Sequence, residues 1–153
     1  MKFTRTELEG VWLLDLETVD DDRGFFARTW CGQEFRQRGL SAQLAQCNLS
    51  YNRRRGTLRG LHYQAPPHEE AKLVRVTRGA IFDVAVDVRP HSQTALQWLS
   101  VELTADNRRS LYVAEGFAHG FQTLTDDTEV LYQMSTAYHP DSARGIRWND
   151  PAL

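Results

Sequence analysis

No stretch of the 153 residues approaches the ~20 consecutive apolar residues that a membrane-spanning helix needs. The opening segment, residues 1–14, is broken by Lys2, Arg5, Glu7 and Glu9, so it holds no apolar run of signal-peptide length. Cysteine is scarce. Cys31 and Cys47 are too few for a disulfide framework, and idle thiols fit a reducing compartment. Neither sign of charge dominates: 18 Lys and Arg against 20 Asp and Glu leave a net charge of −2, without the basic bias of a nucleic-acid binder. No linker, internal repeat or low-complexity tract interrupts the chain. Together these absences point to a cytoplasmic protein with neither nucleic acid nor membrane as a partner. The length fits one domain, residues 1–153, and is enough to bury a core.

Short strand-like runs are what the sequence does contain. They fall at 11–16, 25–30, 43–50, 57–64, 71–78, 80–88, 97–103, 109–113, 118–124 and 128–136, with Gly, Pro, Asn and Asp between them. Such spacing, about one strand every 8–12 residues, predicts a mainly β protein, a sandwich or a barrel. Alternation is clearest over residues 81–88. Phe82, Val84, Val86 and Val88 share one face, and Ile81, Asp83, Ala85 and Asp87 the other. One helix is expected, over Gln33–Arg38, stopped by Gly39.

Histidines 62, 68 and 119 are the first candidates for chemistry. A given histidine is more often structural than catalytic, but polar groups facing into a small β core need partners. Lys72 and Asp83 lie on the next two strand-like runs after His62. Sequential antiparallel strands usually neighbour one another, so all three are expected to reach one cavity. Tyr132 supplies a further acid. The plainer alternative is a core tyrosine with a satisfied hydroxyl and an ordinary Lys72–Asp83 ion pair.

Gly116-Phe117-Ala118-His119 is similar to the second motif of the cupin superfamily, whose members are jelly rolls. The usual cupin metal site needs His-x-His, a Glu and a later His. Here His62 is followed two positions on by Gln64, and two imidazoles without a firm third ligand make a weak site for zinc or iron. A cupin shell without its metal is the expectation.

The resemblance narrows to one family, the dTDP-4-dehydrorhamnose 3,5-epimerases (RmlC-like sugar epimerases). It is carried, in order, by Asp22-Arg23-Gly24-Phe25-Phe26, Gln46-x-Asn48-x-Ser50, the run from Gly56 to Gln64, Lys72-Leu73-Val74-Arg75-Val76 and Arg78-Gly79. It continues through the run from Phe82 to Arg89, that from Gly116 to Phe121, Tyr132 and Trp148-x-Asp150-Pro151. The resemblance implies a cupin-type jelly-roll barrel with one or two short helices, a homodimer, no metal and no cofactor. The implied substrate is a nucleotide-diphosphate 4-keto sugar, inverted at C3, C5 or both. It further implies His62 as the base beside the ketone, Lys72 as the stabiliser of the enolate oxygen, Tyr132 as the acid on the opposite face and Asp83 as a support for Lys72. Arg59 and His119 would contact the diphosphate, with Gln46 and Asn48 nearby. Arg23 and Phe26 would reach the nucleotide from a partner subunit, and Tyr138 would stack on the base.

Physical chemistry supports the same roles. Removing a proton beside a ketone puts negative charge on the carbonyl oxygen, where a cation in a dry site helps most. Inversion needs a base and an acid on opposite faces. An imidazole, with an ordinary pKa of about 6.5, suits the base, and an arginine fork suits the diphosphate. Arg53, Arg54 and Arg55 read as a solvated loop. Strict alternation puts Arg59 and His62 on opposite faces, and Gly60 is the place for a bulge that realigns them.

Two departures from the family pattern stand out. Arg28 occupies the position of a family Glu that accepts a hydrogen bond from thymine, and Arg can only donate, so altered nucleotide preference is expected. The family also continues past Asp150-Pro151 with a carboxylate that pairs with the catalytic histidine, whereas this chain stops at Leu153. A longer natural chain is the first explanation expected, ahead of Asp83 borrowed in its place or a lost carboxylate that leaves a slow or inactive site. Competing functions are a sugar 3,4-ketoisomerase on the same shell and a sugar-binding jelly roll without activity.

Overall fold

Thirteen strands, one short α-helix and one 3-10 turn make up the structure, a computed structural model that describes residues 1–153. The strands are β1 (Lys2–Arg5), β2 (Val11–Asp15), β3 (Thr18–Asp21), β4 (Gly24–Ala27), β5 (Gln46–Asn52), β6 (Leu58–Gln64) and β7 (Lys72–Arg78). They continue with β8 (Ala80–Asp87), β9 (Trp98–Thr104), β10 (Ser110–Val113), β11 (Phe117–Thr123), β12 (Thr128–Met134) and β13 (Ala143–Gly145). A six-stranded sheet runs β1-β2-β10-β7-β12-β5, and a five-stranded sheet runs β13-β6-β11-β8-β9. All the pairings are antiparallel. This is a jelly roll, with two stacked sheets rather than one closed ring of strands.

The core lies between the sheets. Val74, Val76, Leu111, Val113 and Val130 come from the larger sheet, and Ile81, Ala85, Leu103, Phe117 and Phe121 from the smaller, all buried. On β8 the face that turns inward is the one carrying aspartates: Ile81, Asp83, Ala85 and Asp87 are each 0% exposed. A carboxylate tolerates this only when partnered. Asp87 accepts from Arg89, Ser92 and Thr94 at 2.6–3.0 Å. Burial alone would raise its carboxyl, but these hydrogen bonds more than offset it and hold it far below the ordinary value.

The expected strand order needs one correction. β6, β7 and β8 are consecutive in sequence, but β7 lies in the six-stranded sheet while β6 and β8 lie in the other, with β11 between them. A jelly roll carries consecutive strands across the sandwich, so sequence neighbours need not be spatial neighbours. The helix spans Gly32–Arg36, shifted slightly toward the N-terminus, and Gly39 follows it with φ +72°. Its Phe35 is buried among Phe3, Trp30 and Tyr112. Strands β1, β3 and β13 lie outside the expected runs. β3 and β4 form a separate exposed hairpin.

Candidate active site

Six of the expected residues line one cavity of about 570 Å³ between the sheets: Asn48, Arg59, His62, Lys72, His119 and Tyr132. Register explains why. His62 on β6 stands directly across from His119 on β11, and Tyr132 on β12 stands across from Asn48 on β5. The histidines therefore belong to one sheet and the tyrosine to the other. The rings of His119 and Tyr132 meet edge to face at 5.9 Å across the two walls. Lys72 lies two pairs along from Tyr132, opposite Met134, and its Nζ donates to the His62 backbone carbonyl at 3.1 Å.

These surroundings set the protonation states. Partial burial, then the charge of Lys72, then the neighbouring His119 hold the His62 imidazole below its ordinary 6.5. At neutral pH it is therefore neutral and able to accept a proton. Burial drives the Tyr132 hydroxyl well above the usual phenol range. The Asp83 carboxylate adds to this and Arg59 draws it partly back. Tyr132 accordingly keeps its proton at any working pH.

Asp83 does not hold Lys72, and it does not pair with His62 either. Its Oδ1 lies 2.8 Å from His119 Nε2, and both side chains are buried. Its Oδ2 makes no hydrogen bond. The reason is the register: Asp83 lies across from Phe121 on the strand that carries His119, whereas Lys72 belongs to the other sheet. Lys72 pairs instead with Glu70 at 3.0 Å, a residue that sequence reasoning missed. It lies two residues ahead of Lys72, just before β7 begins, where strand alternation offers no signal.

Arg59 and His62 reach the same cavity through the bulge expected at Gly60. The β6–β11 register shifts between His119 and Phe121, and Gly60 has φ +118°. Asn52, also missed, steadies Arg59: its Oδ1 accepts from Arg59 Nε at 2.7 Å while its Nδ2 donates to the Thr128 carbonyl. Arg53, Arg54 and Arg55 are exposed, as expected of a solvated loop.

Gln46 and Tyr138 line an adjoining hollow of about 760 Å³ that shares Asn48, His62 and Met134 with the first. Gln64, where a metal cupin would have its second histidine, is buried and committed to the backbone. Its Nε2 donates to the carbonyls of His68 and Ala137, and its Oε1 accepts from His139 N–H. Arg23, Phe26 and Arg28 line neither hollow. Arg23 is paired with Asp21 on the exposed hairpin, Phe26 is 77% exposed, and Arg28 bonds Glu34 at 3.1 Å.

A jelly roll that gathers an imidazole, an ammonium and a phenol around one polar cavity belongs to the cupin-type sugar isomerases. Residues 5–153 match the family model described as dTDP-4-dehydrorhamnose 3,5-epimerase. The chain belongs to that family. It is 44% identical over 152 residues to the dTDP-4-dehydrorhamnose 3,5-epimerase of Methanothermobacter thermautotrophicus, covering 99% of this chain and 81% of that protein. A crystal structure of the Bacillus anthracis dTDP-4-dehydrorhamnose 3,5-epimerase, with TDP and PPi bound, gives a TM-score of 0.95 at 41% identity, covering 99% of this chain and 87% of the other. The Legionella pneumophila dTDP-6-deoxy-D-glucose-3,5-epimerase, in complex with dTDP-4-keto-L-rhamnose, gives 0.92 at 35% identity, covering 99% and 80%. No helix of this chain is long and apolar enough to cross a membrane.

Proposed function

We propose that the chain inverts C3, C5 or both of a dTDP-linked 4-keto-6-deoxy hexose. The observation that carries this reading is that His62 and Tyr132 line one cavity from opposing sheets, with the Lys72 ammonium bonded beside the base. Neutral His62 takes the proton from the carbon next to the ketone. The electron pair moves onto the carbonyl oxygen, and Lys72 stabilises the resulting enolate. Tyr132 then gives its proton to the other face of the same carbon, which inverts it. Arg59 holds the diphosphate with His119, whose ring is fixed by Asp83. Gln46, Asn48 and Tyr138 receive the nucleotide in the adjoining hollow.

The functional unit in this reading is a homodimer. The exposure of Val19 and Phe26 on the β3–β4 hairpin supports it, because such side chains usually find cover. Arg23 and Phe26 then serve a neighbour's site. Arg28, beside that hairpin, tunes the base preference, and competition among free dTDP, GDP, CDP and UDP with and without Arg28→Glu reads its effect. Two free thiols, one of them exposed, support a reducing cytoplasmic setting.

The test is incubation with dTDP-4-keto-6-deoxyglucose in heavy water, counting deuterium at each carbon. One or two incorporated deuteria with inverted product are expected. Tyr132→Phe should keep part of the exchange while net inversion falls. A product whose ketone has moved would overturn the reading in favour of a ketoisomerase. Tight binding without exchange would leave a binding protein.

A further inference from the structure

Glu70 is absent from every motif quoted above, yet it carries a buried charge at the edge of the cavity. Its side chain and that of Lys72 are each 7% exposed, and the two are each other's only ion-pair partners. Its backbone is clamped on both sides. Ala71 N–H donates to Ser135 Oγ, Ser135 N–H donates to the Ala71 carbonyl, and Thr136 Oγ1 donates to the Glu69 carbonyl. The backbone on either side of Glu70 is thus tied to the segment that follows β12, next to Lys72.

Stability gives no reason for such a pair. Replacing a buried ion pair by well-packed apolar residues is often neutral or stabilising. The donors of Lys72 suggest another reason. An ammonium has three N–H groups. One goes to the His62 carbonyl at 3.1 Å, and the Glu70 carboxylate lies 3.0 Å from the ammonium as its ion-pair partner, which leaves donor capacity for the cavity that Lys72 lines.

We propose that Glu70 is a positioning residue that fixes the Lys72 ammonium so that a free N–H meets the enolate oxygen of the substrate. This rests on the epimerase reading above. Glu70 touches no reacting atom. It acts through Lys72, and its carboxylate balances a charge that must already be in place when the enolate forms. A preorganised donor needs no rearrangement during the reaction, whereas a misplacement of ~1 Å costs on the order of a hundredfold in rate.

The test uses the full chain and the heavy-water exchange assay, with kcat, KM and a thermal melt for each variant. Glu70→Ala should lower kcat roughly ten- to a hundredfold with KM changed little. Glu70→Gln, which keeps an acceptor oxygen in place, should recover most of the rate. The double variant Glu70→Ala, Lys72→Ala should be no slower than Lys72→Ala alone, because residues acting as a unit are not additive. Should Glu70→Ala fail to fold, Glu70→Leu fills the volume without the acceptor and replaces it in the same cycle. A wild-type kcat in Glu70→Ala or Glu70→Leu, a Glu70→Gln as slow as Glu70→Ala, or multiplying losses in the double variant would each overturn the proposal alone. A wild-type chain that exchanges no deuterium would overturn the epimerase reading and this proposal with it.

Discussion

His62 shows how neighbours prepare one residue for the role proposed for it. A general base must be unprotonated when substrate arrives, and burial, Lys72 and His119 all push this imidazole toward the neutral form. The acid limb of kcat/KM should therefore have its midpoint below pH 6.5, since activity is lost only when pH falls through the lowered value. Lys72→Met removes one of the depressing charges, so the limb should move upward, toward 6.5. His62→Ala should lose roughly 10²–10⁴ in exchange rate while the fold survives. Exchange rates measured from pH 4 to pH 9 check all three, and an acid limb centred above 6.5 in the wild type would contradict the assignment. The aspartate at position 83 gives the converse lesson. Its presence near the histidines was readable from sequence, but its partner was not. That was decided by the pairing of β8 with β11, which no local pattern reports.

At the scale of the element, the informative contact is the pairing of β6 with β11. A Cβ added at Gly60 would meet Gly120 Cα at 2.5 Å and the His119 carbonyl oxygen at 2.8 Å, and one added at Gly120 would meet the Arg59 carbonyl oxygen at 2.7 Å. These neighbours are backbone and do not swing aside. The two strands approach this closely only because both lack a side chain there, and the same irregularity brings Arg59 and His62 to one cavity. Gly60→Ala should cost about 1–3 kcal/mol of stability through strain. It should also slow the reaction more than tenfold by separating the phosphate and base positions, on the scale of misplacement effects. Chemical denaturation and the exchange assay on one preparation check both, and unchanged values in either would contradict the account. The strands themselves were largely legible, because alternation and turn residues are local. β3 was not, since Thr18-Val19-Asp20-Asp21 carries little apolar signal. The sheet assignments were not either, because they depend on contacts between residues far apart in the chain.

In the whole molecule, the two sheets divide the labour. The five-stranded sheet holds His62, Arg59 and the His119–Asp83 pair, and the six-stranded sheet holds Lys72, Tyr132 and Asn48. Substrate would sit in the sandwich itself, so the packing that makes the core also sets the distance between base and acid. Motif order named candidates for this site, and only the crossing connections gave its geometry. The β3–β4 hairpin stands outside both sheets, with Phe26 77% exposed and Arg23 bound only to its own Asp21. In the proposed homodimer it would serve a neighbour's site, and catalytic competence would be a shared possession. A chain lacking Arg23 and Phe26 and a chain carrying His62→Ala should each be inactive alone. Mixed at equal amounts and allowed to exchange subunits, half the dimers become hybrids with one intact site each, so about a quarter of wild-type activity should return. A hairpin that serves its own chain would give no such complementation.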